Sequence, residues 1–491
     1  MEAHAPPSAT RWTRDGLWIA AAALVAYSLG ARRAFHGIDA HYLLVQVHLG
    51  DLRHSYSAGY LHSVAAIAEL GAPLGLSTYR AALIVSALGA SCAVLCAHVA
   101  SRILGLDRAA SACAALLVAL APPVVYFATI VELHAYALAA CGLAWIALAR
   151  WASAPSLARA AWLGAALCAA FLAHPIGAVL GASMLPCACV ARPRPSARAW
   201  LAGSLVAAAV LALGVLALPP LLRALGLGSD AGFALDYLVR RGATHLDPRR
   251  LARVASREWL VPFLPHSAVV LALLASARQR AAAAAVLAAV LPSLVVAWLM
   301  LEDAEHERGA YATCVAWPLA IVLANAATQR WQRAALLAAS AAAALALCAG
   351  LRAPAQTRDT SAAVARIAAS GPIAWIVGST YDLEAWQLDH PRATVISLPD
   401  LVRTPARRFP QQIDELEQLL RRGVAADGAH VIVTNHALAF LDELGAFAPT
   451  AVELRAWIDD RAFSETRVGT TVVRTLDFGS ASSPSSAPST R

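Results

Sequence analysis

The chain of 491 residues is short of charge: Asp, Glu, Lys and Arg together make up 14% of it, against about a quarter in a soluble globular domain. That shortage excludes an ordinary soluble enzyme with a solvated surface. Lysine is absent, so all of the basic charge is arginine. Methionine is scarce and alanine abundant, a pattern that reads as coding bias and says little about function. The nine cysteines include no CxxC pair; Cys187 and Cys189 form a CxC, and all nine lie in apolar segments. They read as small buried hydrophobes, so neither a disulfide framework nor a zinc cluster is expected. No internal repeat is visible, which weakens a transporter built on inverted repeats.

What fills the chain is apolar sequence: 59% of residues are hydrophobic, with a mean hydropathy of +0.59. Runs of about 18 or more apolar residues recur, long enough to cross some 30 Å of hydrocarbon. The expected class is a polytopic α-helical membrane protein. About eleven spans are expected, at 16–31, 80–104, 109–128, 134–150, 160–173, 176–191, 200–222, 266–277, 281–300, 311–328 and 334–351. The basic N-terminus lacks a convincing small-residue cleavage site, so the first segment reads as an uncleaved span.

Arginine orients these spans. With the N-terminus cytoplasmic, the inside loops carry Arg102 and Arg108, Arg150 and Arg159, Arg192, Arg194 and Arg198, Arg278 and Arg280, then Arg330 and Arg333. Short basic loops on one side follow the positive-inside rule. The net charge of +8 therefore reads as topology and not as nucleic-acid binding. An odd span count places the tail, 352–491, outside. Short β-type runs at 373–378, 393–398, 430–436 and 471–476 alternate there with an amphipathic helical stretch at 411–423. The expectation is a small α/β domain over 352–478 with a mainly parallel sheet, then a disordered tail over 479–491.

Polar residues collect on the same outer face. The stretch 35–62, FHGIDAHYLLVQVHLGDLRHSYSAGYLH, carries two aspartates, five histidines and three tyrosines just after the first span. Asp39 is either a solvated loop or capping carboxylate or a general base that takes a proton from an acceptor hydroxyl; Asp51 is second choice for that role. The histidines show no HExxH or HxxxH pair, so His54 and His62 read as groups for phosphate or sugar hydroxyls and not as metal ligands. Glu132, in IVELHAYAL, is either a helix N-terminal charge or part of a polar cluster with His134 and Tyr136. His174-Pro175 marks a turn. The loop 239–259 is basic on the outside, against the topological trend, and offers Arg249 and Arg250 to an anion. Glu307, Arg308 and Tyr311 precede a late apolar segment; the guanidinium fork of Arg308 suits phosphate oxygens.

In order and sidedness these motifs resemble the GT-C membrane glycosyltransferases, and within them the bacterial protein O-mannosyltransferase-like branch. GIDAHYL supplies an acid after the first helix (Asp39), VVYFATIVELHAYAL supplies Glu132, AHP supplies His174-Pro175, and EHERGAY supplies Glu307, Arg308 and Tyr311. LGLSTYRAALIVSAL (74–88) looks like that branch's second-helix start. The likeness covers about 35–190 and 300–330. It departs at Tyr42, where the branch carries a second acid, at RHSYSAGY in place of HPPG, and in the two extra residues between Arg308 and Tyr311.

The resemblance implies a GT-C-like transmembrane domain over 1–351, with an outside loop at 32–79, in a bacterial inner membrane. It implies an inverting glycosyltransferase that moves a hexose or pentose from a polyprenyl-phosphate donor to a protein, lipid or glycan hydroxyl. Asp39 would be the base, with Asp51 and Glu132 as further catalytic candidates. His54, His62, His174, Arg249, Arg250, Glu307, Arg308 and Tyr311 would bind substrate. Some families of this class use magnesium or manganese. Two alternatives stand beside this reading: a transporter or flippase of lipid-linked sugars, and an inactive relative that binds lipid or a partner.

Overall fold

The computed structural model describes residues 9–31, 43, 47, 52, 58–76, 78–174, 176–177, 180, 183–190, 196–224, 248–300, 309–350, 355–371, 373–378, 394–397, 409–427, 430–445, 449–461, 463–469 and 471–478. The chain divides into two units with a boundary at 351/352.

The first unit is helical. Its described helices, numbered in chain order, are α1 (Ala9–Gly30), α2 (Ala58–Gly71), α3 (Thr78–Ile103), α4 (Arg108–Ala119), α5 (Pro122–Ala128), α6 (Leu133–Ser153), α7 (Leu157–Ala173), α8 (Met184–Val190), α9 (Ala197–Ala224), α10 (Pro248–Ala255), α11 (His266–Leu273), α12 (Arg280–Met300), α13 (Ala316–Ala326) and α14 (Arg330–Gly350). By length and composition four of them, α3, α6, α9 and α12, can cross a membrane, and α4 with α5 makes a fifth if that pair, bent by 58°, is one span. The chain is a multi-pass membrane protein; a count of eleven is not shown. The apolar helices Leu157–Ala173 and Ala310–Ala326 are shorter and lie where two further spans were expected.

Small residues let the helices come close. Glycine at position 89 of α3 faces the start of α6, and a Cβ there would sit 2.5 Å from the Ala135 carbonyl oxygen. In a membrane, where lipid is as apolar as a side chain, such close packing is a main source of helix association. α13 runs through the middle of the unit, with every residue from Ala316 to Ala324 buried. Two tryptophans secure it: the rings of Trp145 and Trp317 stack at 5.8 Å, and Trp317 Nε1 donates to Ser101 Oγ at 2.9 Å. α9 instead exposes Leu201, Leu205, Leu213 and Leu216, as a lipid-facing helix does.

The second unit has three layers. Its helices are α15 (Ala355–Ala368), α16 (Phe409–Asp427), α17 (Asn435–Gly445) and α18 (Pro449–Asp459); its strands are β1 (Ile373–Gly378), β2 (Thr394–Ser397), β3 (His430–Thr434), β4 (Phe463–Val468) and β5 (Thr471–Leu476). The strand order is β2-β1-β3-β5-β4. β3 is buried on both faces, and its side chains alternate between two cores. Ile432 packs with Val364 and Ile367 of α15, while Val431 and Val433 pack with Leu420, Leu441 and Leu454 of α16 to α18. The sheet differs from the mainly parallel one expected: β1 pairs in parallel with β2 and β3, but β5 runs antiparallel to both β3 and β4. β4 went unread because FSETRV is a polar edge strand with three exposed side chains at its start. Gly469, at φ +56°, makes the hairpin that turns it into β5.

Two expectations follow. Gly89→Val lowers the thermal midpoint of the detergent-solubilised protein, by about 1–3 kcal/mol of stability, whereas Leu205→Ala on the exposed face of α9 leaves it unchanged. In the second unit, burial works against the Glu417 carboxylate, but hydrogen bonds from Arg421 and Trp457 and the charges of Arg461 and Arg421 outweigh it and hold this carboxyl below its usual range. A carboxyl lowered on folding contributes stability above its unfolded value, and that contribution is lost as pH falls through the folded one. Hydrogen-exchange protection factors of α16 amides in the full-length protein, corrected for the intrinsic pH dependence of exchange, are thus expected to fall less in Glu417→Gln than in the wild type as pH is lowered from neutral to below the ordinary carboxylate range.

Candidate active site

The site is built around the start of α6. Pro122 and Pro123 open α5 where their missing N–H groups cost nothing. α5 ends at Thr129, whose hydroxyl donates back to Val125 O at 2.9 Å. After this short break Glu132 lies extended, at φ −163°, and caps α6; its Oε1 accepts from Leu133 N at 2.7 Å. Ser86 of α3 donates to the Glu132 carbonyl at 3.1 Å. Glu132 is only 5% exposed, so its carboxyl sits at the positive end of the helix dipole in a poorly hydrated place.

Three further rings meet beside it. His134, in the first turn of α6, is buried and lies 4.9 Å from the Phe127 ring of α5. The His174 ring is 4.7 Å from that of His134. Tyr311 completes the group, at 6.3 Å from His134 and 6.4 Å from His174. His174 is the C-cap of α7. Its Nδ1 accepts a hydrogen bond from Ile176 N at 3.2 Å, and an acceptor nitrogen carries no proton. This geometry assigns the neutral imidazole with its proton on Nε2, leaving that N–H as a donor.

Tyr311 belongs to a 3₁₀ segment, Ala310–Val315, that begins after Gly309. Gly309 has φ +89°, and a Cβ there would also meet Pro123 at 2.8 Å and Pro262 at 3.1 Å; only glycine satisfies both demands. Its N–H donates to Glu258 Oε2 at 3.2 Å. The far end of the segment is held by Trp145, whose Nε1 donates to Cys314 O at 3.2 Å. Glu258 is fully buried in a π-helical turn, Ser256–Leu260, that follows α10. On α10, Val254 packs with Tyr311, Ala297 and Trp298. Arg250, one turn earlier and 5% exposed, shares that face of α10, while Arg249 is exposed.

The structure thus gathers His174 and Tyr311 with His134, two residues after the buried cap Glu132, and places Arg250 on the helix that packs against Tyr311. His62 lies exposed on α2. Asp39, Asp51, His54, Glu307 and Arg308 lie outside the described residues. Glu258 was missed from sequence. It follows a run of arginines in a loop that reads as solvated, and its one local signal is the apolar WLVPF that comes after it. Among the described residues no three His, Cys, Asp or Glu side chains gather to hold a metal ion.

A second polar group marks the other end of α3. Arg108 forks onto Asp15 at 2.6 and 2.8 Å, and Arg333 reaches Asp107 at 3.6 Å. Ser86 and Arg102 are separated by about 24 Å of helix, close to the thickness of bilayer hydrocarbon. The histidine–tyrosine cluster and this arginine cluster therefore stand at opposite ends of the helical unit.

No protein-family model matches the chain, and no curated protein sequence does. Among solved structures it is similar to ArnT from Cupriavidus metallidurans bound to undecaprenyl phosphate, at 15% identity and TM-score 0.57, over 95% of this chain and 98% of that one. The fold is that of ArnT. The apo crystal of the same protein aligns at 15% identity and TM-score 0.56, over 94% and 97% of the two chains. The oligosaccharyltransferase AglB from Archaeoglobus fulgidus, in complex with an inhibitory peptide and a dolichol-phosphate, aligns at 14% identity and TM-score 0.46 over 97% of this chain and 75% of that one, too loosely to build on. The ArnT likeness extends along both units and agrees with the expected architecture of a helical membrane part followed by a small α/β domain. It does not single out the O-mannosyltransferase-like branch.

His174 gives a test of the geometry. His174→Asn, whose side-chain oxygen can accept from Ile176 N, is expected to keep the thermal midpoint near that of the wild type. His174→Ala, which leaves that N–H without its acceptor, costs about 1 kcal/mol of stability.

Proposed function

We propose that the chain is a membrane glycosyltransferase that moves a sugar from a polyprenyl phosphate to an acceptor hydroxyl on the extracytoplasmic face of a bacterial inner membrane. The observation that carries this reading is the gathering of His134, His174 and Tyr311 at the Glu132-capped start of α6, at one end of an ArnT fold and opposite the arginine-rich end. The N-terminus is then cytoplasmic, some eleven spans follow, and the α/β unit is periplasmic. The motif order favours the protein O-mannosyltransferase-like branch, with a hexose or pentose as the transferred group and a protein, lipid or glycan as its acceptor.

The chemistry proceeds in line. The acceptor oxygen attacks the anomeric carbon from the face opposite the phosphate and inverts it. Its proton passes to the Asp39 carboxylate, with Asp51 as second choice, while the bond from the anomeric carbon to phosphate oxygen breaks and leaves polyprenyl phosphate. Charge then grows on the departing phosphate. Arg308 and the arginines of 249–250 stabilise it, as fixed cations do best where water is excluded. The Nε2 proton of His174 and the Tyr311 hydroxyl donate to phosphate or sugar oxygens. Glu132, Glu307, His54 and His62 orient sugar hydroxyls.

The test is sugar transfer in membranes carrying wild type or Asp39→Asn, supplied with a panel of radiolabelled polyprenyl-phosphate sugars, with and without divalent ions. The wild type is expected to transfer one of them, and Asp39→Asn to be slower by about a hundredfold or more at equal expression. Movement of the labelled lipid across the bilayer with no transfer would instead support a flippase. Binding of the lipid with neither result would support an inactive binder.

A further inference from the structure

Among the described residues the membrane unit buries a second acid besides Glu132. Glu258 is fully buried in the membrane unit, where a carboxylate is expensive unless it is held by donors. It sits in a π-helical turn, a distortion that is frequent at functional sites. Its Oε2 takes the N–H of Gly309, the left-handed residue at which the chain turns into the Tyr311 segment. A Cβ on the same glycine would meet Pro123, Pro262 and the Glu258 carbonyl, so no residue with a side chain can take its place at this turn. The segment closes with Ala312 N donating to Gly309 O at 3.1 Å. Tyr311 then stands 6.3 and 6.4 Å from the two histidine rings. Arg308 is the residue immediately before Gly309 in the chain.

We propose that Glu258 is a positioning residue for the recognition of the donor phosphate: its carboxylate fixes the turn at Gly309 that carries Tyr311 and follows directly on Arg308. The role rests on the glycosyltransferase reading, and it is a hydrogen-bond acceptor's role. It therefore belongs to the oxygen and not to the charge, and glutamine can supply it where alanine cannot.

The experiment compares purified full-length wild type, Glu258→Gln and Glu258→Ala by two readouts. The first is hydrogen exchange of the amides of 309–313, which needs no knowledge of the reaction. Exchange is expected to accelerate in Glu258→Ala and to stay near wild type in Glu258→Gln. The second is the Kd for undecaprenyl phosphate as probe, expected to rise about tenfold in Glu258→Ala, as loss of one buried hydrogen bond implies, and to return towards wild type in Glu258→Gln. Unchanged exchange at 309–313 in Glu258→Ala overturns the proposal, as does glutamine behaving like alanine in both readouts. Wild-type protein that binds the lipid while Glu258→Ala binds it equally well overturns the positioning role and leaves the glycosyltransferase reading in place. Wild-type protein that does not bind undecaprenyl phosphate overturns that reading and, with it, the role given to Glu258.

Discussion

The close approach of α3 to α6 is the constraint on which the candidate site depends. With no side chain at Gly89, the first turn of α6 lies against α3, and this brings the Glu132 carbonyl within reach of the Ser86 hydroxyl. Glu132 can then be buried and cap α6, and His134 follows in the first turn against Phe127 and His174. A larger residue at 89 would push the start of α6 outwards, and the cap, the histidine and the Phe127 contact would move with it. Packing between small residues in lipid thus sets the position of chemistry within a turn of the contact.

The second constraint is the cost of leaving polar groups unpaired in an apolar surround. Each break in the helices near the site is answered by a hydrogen bond: Thr129 to α5, Glu132 to α6, His174 to the turn after α7, and Glu258 to the turn before Tyr311. The breaks expose backbone that would be ruinous in lipid, but in this place they let four separate segments deliver short polar ends to one locus. Low polarity around them strengthens the fields they exert. That suits a reaction in which a sugar leaves a phosphate and charge has to be met by groups already in place.

Much of this was legible in the sequence, for reasons that differ by element. Long apolar helices announce themselves through composition, and arginine-rich short loops announce their side, so the separation of Glu132, His174 and Tyr311 from Arg108 and Arg333 could be reasoned from topology alone. β3 was legible because VIV is apolar on both faces. β4 was not, because an exposed edge strand carries no apolar alternation, and the antiparallel pairing of β5 depends on where the chain returns in space. Glu258 was hidden for a related reason. Its burial comes from α10, the turn at Gly309 and Pro262 meeting around it, while its sequence neighbours Arg250, Arg253 and Arg257 suggest a solvated loop.

The most direct measurement of the central claim is photo-crosslinking of the full-length protein in membranes with a diazirine analogue of undecaprenyl phosphate labelled near its phosphate, followed by peptide mapping. The account predicts labelled peptides from the start of α6, the turn after α7, α10 and the segment at 309–313, competed away by unlabelled undecaprenyl phosphate. Labelling confined to the exposed leucines of α9, or labelling that the unlabelled lipid does not displace, would contradict it.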